Sequence, residues 1–207
     1  MLKIALQIII ISCLISCVNN NKHNKSDEWG STNWVNLEQE NIKLRIPLNL
    51  KKSSRYRIKE DLPILAKDSI KLRLVQNSLE LLEFEDSEID VFIDTSKTYR
   101  MVIICNTQRI DFNKTDASIL KKELMSNNEK SALSNPNLEY SEINAKMKAN
   151  SKHKMVRYTT QIQNKLDNSN VYNSIYYLTG DSYSLVVYEF SEDNEMIEKY
   201  LWTAKTG

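Results

Sequence analysis

Val171-Tyr172-Asn173-Ser174-Ile175-Tyr176-Tyr177-Leu178-Thr179-Gly180-Asp181-Ser182-Tyr183-Ser184-Leu185-Val186-Val187-Tyr188-Glu189-Phe190 is the stretch on which the fold turns. Its two halves, 171–178 and 183–190, are dense in β-branched and aromatic residues, and Thr179-Gly180-Asp181-Ser182 between them is turn chemistry. The pattern predicts a β-hairpin. Two strands are marginal in water on their own, so the hairpin needs neighbours. Upstream, Tyr140 to Ala149 and Lys154 to Gln163 supply two more strand-like runs. Further back, Ile89, Val91 and Ile93 alternate with Asp90, Phe92 and Asp94, and Thr95-Ser96-Lys97 turns the chain into Tyr99 to Cys105 as a second hairpin. Near the start of the body, Ile42, Leu44 and Ile46 alternate with Lys43 and Arg45 and stop at Pro47, the period of a half-buried strand ended by a residue that cannot donate to a ladder.

Three helices are expected between and after these strands. Leu72, Val75, Leu79 and Leu82 recur at helical spacing behind Asp68-Ser69, which predicts a helix over 69–84; a strand at 70–74 is its rival. Thr115-Asp116 offers the cap for a helix through Ile119, Leu120 and Leu124 that frays at Ser126-Asn127-Asn128 and ends before Pro136. Met196, Ile197, Tyr200 and Leu201 define the inner face of a closing helix over 193–203. Strands joined by short turns, with helices between and after, predict an α+β fold: an antiparallel β-sheet with helices packed on it.

The N-terminal end carries a different message. Met1-Leu2-Lys3 precedes 12 mainly apolar residues, Ile4 to Ile15, too few for the ~20 a membrane-spanning helix needs and suited to a secretory h-region. Leu14-Ile15-Ser16-Cys17 resembles the bacterial lipobox at all four positions. The resemblance implies removal of residues 1–16, acylation of Cys17 and a lipid-anchored location in the bacterial cell envelope, facing the periplasm or the cell surface; two or more acyl chains anchor durably where one does not. Residues 17–32, rich in Asn, Lys, Ser and Asp, are expected to be a flexible tether from Cys17, and 33–207 a single α+β domain.

Removing residues 1–16 leaves 207 − 16 = 191 residues, and the loss of Lys3 leaves 28 − 1 = 27 basic against 27 acidic residues. A mature chain of formal charge zero is a poor match to nucleic acid, whose binding rests on excess Lys and Arg. Cys13 leaves with the signal and Cys17 takes lipid, so Cys105, at the end of Met101-Val102-Ile103-Ile104, is left as a small buried hydrophobe. Only Gly30, Gly180 and Gly207 are present, which excludes a Gly-rich phosphate loop. Of the two histidines, His23 lies in the expected tether and His153 in a basic run, so no His-based triad or zinc site is indicated and no cofactor is expected.

The closing hairpin, with its Gly180-Asp181 turn and the acidic helix start before Tyr200-Leu201, resembles the end of PsbP-like lipoproteins, and Ile42-Lys43-Leu44-Arg45-Ile46-Pro47 is similar to that family's early strand. The resemblance implies an α-β-α sandwich around an antiparallel sheet. It also implies an accessory or assembly role and supplies no catalytic motif.

Three surface features compete for function. Glu80, Glu83, Glu85, Asp86, Glu88, Asp90 and Asp94 form either a Ca²⁺ site or, lacking the loop spacing such a site needs, a solvated acidic face. Lys146, Lys148, Lys152, Lys154 and Arg157 form either a basic patch that orients the domain on an anionic membrane or a solvated hairpin tip. Tyr172, Tyr176 and Tyr188, with Tyr158 one strand earlier, form either an aromatic interaction surface or a core face. The expected function is that of a non-enzymatic accessory, assembly or protein-binding factor, with the membrane reached through Cys17 and a protein of the envelope as partner. The alternative is a small-molecule or lipid-binding lipoprotein with its ligand between sheet and helix. An enzyme would have to draw on Glu83, Asp90 and Asp94.

Overall fold

Strand alternation is realised most fully in the C-terminal half, where four long strands follow one another as an antiparallel meander. These are β6 (Leu138–Ala149), β7 (Lys154–Asn164), β8 (Asn170–Thr179) and β9 (Ser184–Ser191). The structure, a computed structural model, describes residues 31–37, 41–53, 89–94, 100–109, 111–193 and 197–207. The expected signal segment, the tether up to residue 30, the helix at 69–84 and the acidic residues Glu80, Glu83, Glu85, Asp86 and Glu88 lie outside the described residues.

β9 pairs on its other side with β5 (Arg100–Thr107), which forms the expected hairpin with β4 (Ile89–Asp94); β3 (Lys51–Ser53) completes a seven-stranded sheet in the order β3-β4-β5-β9-β8-β7-β6. All pairings are antiparallel, with Ile104 opposite Val187 and Tyr176 opposite Val187 on its other side. The β8–β9 turn closes through the Gly180 amide donating to the Tyr183 carbonyl at 2.9 Å. Glycine is required there, because a Cβ at 180 would sit 2.5 Å from the Tyr183 ring.

A second sheet was not anticipated. β1 (Thr32–Asn36) and β10 (Lys205–Thr206) flank β2 (Ile42–Pro47) in a three-stranded antiparallel sheet. Thr32, expected as the end of the tether, is its first residue. The inner side of this sheet, Ile42, Leu44 and Ile46, packs with Ile197, Leu201 and Ala204 against Phe92, Val102, Ile104, Val187, Leu185, Tyr176 and Leu178 of the large sheet. This is the main core, all of it buried. The opposite side of β4, β5 and β9 buries Val91, Ile93, Met101, Ile103, Cys105 and Phe190, where Cys105 serves as the small hydrophobe expected.

Helix α1 (Lys114–Ser134) lies on that opposite side, near the β6–β7 edge. Its cap is Asn113, two residues ahead of the expected Thr115: the Asn113 side-chain oxygen accepts from the amides of Thr115 and Asp116 at 2.7 and 3.1 Å, and Asp116 accepts the Asn113 amide in return. The helix does not fray at 126–128. There Asn128 donates to the Thr160 hydroxyl at 3.0 Å, so a polar residue that is weak in an isolated helix is held by the sheet. Helix α2 is one turn, Glu198–Leu201, shorter than the closing helix expected, because Thr203 and Ala204 turn the chain into β10. Helices on an antiparallel sheet make the fold α+β as predicted, and no described helix is long and apolar enough to cross a membrane.

Candidate functional site

The two faces of the large sheet hold different chemistry, and the register assigns each predicted residue to one of them. Arg157, Tyr176, Val187 and Ile104 are mutual cross-strand partners facing the small sheet, whereas Tyr158, Ile175, Tyr188 and Ile103 form the next row and face the other way. The four tyrosines therefore do not make one surface. Tyr176 is fully buried (0 % exposed) and is removed from any interaction surface; Tyr172 shares its face, while Tyr188 and Tyr158 lie on the other.

On the small-sheet side a buried polar cluster ties the C-terminal segment down. Glu189 accepts from Arg100 Nε and Nη2 at 2.9 and 2.5 Å, from the Tyr176 hydroxyl at 2.7 Å and from the Ile197 amide at 3.1 Å. Burial pushes the Glu189 carboxyl above the ordinary carboxylate range, while Arg100 and the donated hydrogen bonds pull it back; burial and the nearby Glu189 charge raise the Tyr176 hydroxyl. Next along, Glu198 binds Lys148 at 2.5 Å and Arg157. A third tie runs through His153, whose Nε2 lies 2.8 Å from the Ala204 carbonyl and 2.9 Å from the Tyr183 hydroxyl. A carbonyl only accepts, so Nε2 carries the proton.

These pairings redistribute the basic residues. Lys148 and Arg157 are committed to Glu198, and Lys154 to Asp111 at 2.5 Å, where its hydrogen bond and charge hold the Asp111 carboxyl below the usual range. Arg157 is buried, and Lys146 and Lys152 are exposed. The run is thus not one open cationic patch, because three of its five members neutralise acids contributed by segments remote in sequence. The described part of the acidic cluster departs from a solvated face as well. Asp90 and Asp94 are buried, Asp90 paired with Lys52 at 2.6 Å and Asp94 accepting from Asn49. Among the described residues no group of three metal-ligating side chains converges.

The other face is open by comparison. α1 has no buried residue, and Ile119, Met125 and Leu133 are 52, 39 and 85 % exposed. Between it and the sheet runs a groove of about 220 Å³ lined by Ala117, Leu120, Leu124, Met147, Val156 and Tyr158, with Lys114 and Lys121 also along it. Beside the groove runs β6, the outermost strand on this side of the sheet among the described residues and 12 residues long, with an irregularity between Glu142 and Asn144. An outermost strand leaves one row of backbone donors and acceptors without a ladder partner. The position of β6 is legible in its sequence, but its place at the end of the described strand order is not, since strand order is not encoded by local pattern.

No protein-family model and no curated protein matches the chain. Among solved structures it is similar to the solution structure of cyanobacterial PsbP (CyanoP) from Synechocystis sp. PCC 6803, with 12 % identity over 86 % of this chain and 93 % of that one and a TM-score of 0.48. That likeness is one of outline, and no residue role passes across it.

Proposed function

We propose that this chain is a lipid-anchored protein of the bacterial envelope that works by binding, as an accessory or assembly factor docked on a protein partner. The observation that carries the binding role is the juxtaposition of the β6 edge with the apolar groove under α1. An extended segment adding to β6 gains main-chain hydrogen bonds, and its alternate side chains reach the groove. A helix that buries none of its residues is better suited to meeting a partner than to stabilising the fold. Two of the three acids an enzyme would draw on support the same reading: Asp90 and Asp94 are buried and engaged with Lys52 and Asn49, as structural groups are. The anchor is supported by Leu14-Ile15-Ser16-Cys17.

The test is a crosslinked capture from native membranes with the intact protein, a Cys17→Ala form and a Leu120→Glu/Leu124→Glu form whose melting temperature matches the parent. One saturable envelope partner, lost with the groove variant and weakened without the anchor, is the expected outcome. Equal capture by the groove variant overturns the site, and labelled palmitate absent from Cys17 overturns the anchor.

The same groove supports a second reading as a small-molecule or lipid site. Its volume, about 220 Å³, falls below the roughly 300 Å³ at which drug-sized ligand pockets begin, which favours side chains of a partner over a whole ligand. A lipid or metabolite that raises the melting temperature of the parent and not of the groove variant would reverse that preference.

A further inference from the structure

The outer side of the three-stranded sheet carries a feature that partner docking at β6 does not use. Period-2 alternation buries Ile42, Leu44 and Ile46 and turns Lys43 and Arg45 outward, opposite Lys205 and Trp34 respectively. Trp34 is 46 % exposed, with the Lys205 ammonium 4.3 Å and the Arg45 guanidinium 5.3 Å from its ring centroid. β1, β2 and β10 contain no acidic residue, and none of the three cations has a carboxylate partner among the described residues. Lys43 and Lys205 are even directly opposed, an arrangement of like charges that a sheet tolerates at a cost. An anion lying over the face relieves it.

We infer that this face rests on the anionic surface of the protein's own membrane, with the Trp34 indole at headgroup level and Lys43, Arg45 and Lys205 on lipid phosphates. Three observations select a bilayer over a soluble anion. The face is a strand surface and not a pocket, it combines an exposed indole with cations as membrane-interface residues do, and β1 starts at Thr32, 32 − 17 = 15 positions after Cys17. Fifteen residues span at most about 50 Å, so an acylated Cys17 keeps this sheet within that distance of the headgroups. The inference rests on the anchor reading for that proximity alone. Each cation near an anionic leaflet contributes about a fivefold gain in association, so three give roughly a hundredfold.

The experiment uses the full-length protein reconstituted into phosphatidylcholine vesicles with or without 30 % phosphatidylglycerol, with brominated acyl chains as quenchers. Flotation and the mass of the N-terminal acyl group report the anchor; the quenching difference between the parent and Trp34→Phe reports the face. Quenching of Trp34 in anionic vesicles, absent in neutral ones and abolished by Lys43→Glu/Arg45→Glu/Lys205→Glu while flotation persists, is expected. Retained flotation without Trp34 quenching, or quenching indifferent to lipid charge and to the triple variant, overturns the docking face and leaves the anchor standing. If the protein carries no acyl group, sedimentation with anionic vesicles that the triple variant abolishes still supports the face, and its absence overturns it.

Discussion

The two sides of the seven-stranded sheet contrast in how they are closed. The small-sheet side is sealed by Ile42, Leu44 and Ile46 and by three polar ties to the last ten or so residues, through Glu189, Glu198 and the Ala204 carbonyl. The α1 side near β6 has a groove, a helix with exposed apolar side chains and a few polar contacts at its rim, from Asn128 to Thr160 and from Lys121 to Glu142. Labour is divided between the two sides: stability resides where apolar side chains are buried and the polar groups among them are tied to the C-terminal segment, and recognition where apolar surface is left uncovered.

Removing the carboxylate at the centre of the sealed side should produce the largest effect. Glu189→Ala leaves Arg100 as a buried charge and the Tyr176 hydroxyl and Ile197 amide without their acceptor, at a cost of about 3–5 kcal/mol in urea unfolding. A loss under about 1 kcal/mol would mean that the cluster does not hold the C-terminal segment. A paired measurement sharpens the contrast between faces: Leu44→Ala is expected to cost about 2–5 kcal/mol, whereas Ile119→Ala, at a half-exposed helix position, stays within about 0.5 kcal/mol. Equal losses would erase the distinction. Asn113→Ala removes the acceptor of two helix-terminal amides and should cost about 1 kcal/mol, read as faster hydrogen exchange in the first turn of α1 with the amides of β8 and β9 unchanged. The smallest effect concerns Asp111. Its folded carboxyl lies below the ordinary value of 3.8, so its contribution to stability is present above that value and is lost as pH falls through the folded one. Lys154→Met should return the Asp111 titration to the ordinary range by NMR, and an unmoved titration would show that the ion pair is not formed in solution.

Strands and their alternation were legible because period 2 is written locally: β2 and β4 to β9 fall within two residues of where Ile42, Ile89, Tyr140, Lys154, Val171 and their neighbours place them. Helix limits were less so, since a tertiary bond from Asn128 to Thr160 overrides the weak propensity of Ser126-Asn127-Asn128. The second sheet was not legible at all. Its third strand is two residues long, and no local pattern in Lys205-Thr206 distinguishes it from a frayed end. The basic residues 146–157 were visible as a run, yet their neutralisation by Glu198 and Asp111 depends on partners about 40 or 50 positions away. Glu189 had one available signal, an acid inside the apolar run Leu185 to Phe190, which an inspection for buried charge would have singled out.

β2 is flanked on one side by a strand that begins the described body and on the other by a strand near residue 207. The Arg45 amide reaches Thr203, 158 positions further on. Such long-range closure is slow, since a large loop of chain must be ordered before the pairing yields anything in return. β1 and β2 pair locally, so it is the β2–β10 ladder and the Arg45–Thr203 bond that carry this cost and depend on residues beyond 200. A polypeptide halted before residue 197 would lack Ile197, Leu201 and Ala204 over Ile42 and Leu44, and is expected to be cut by proteases faster than one that carries them.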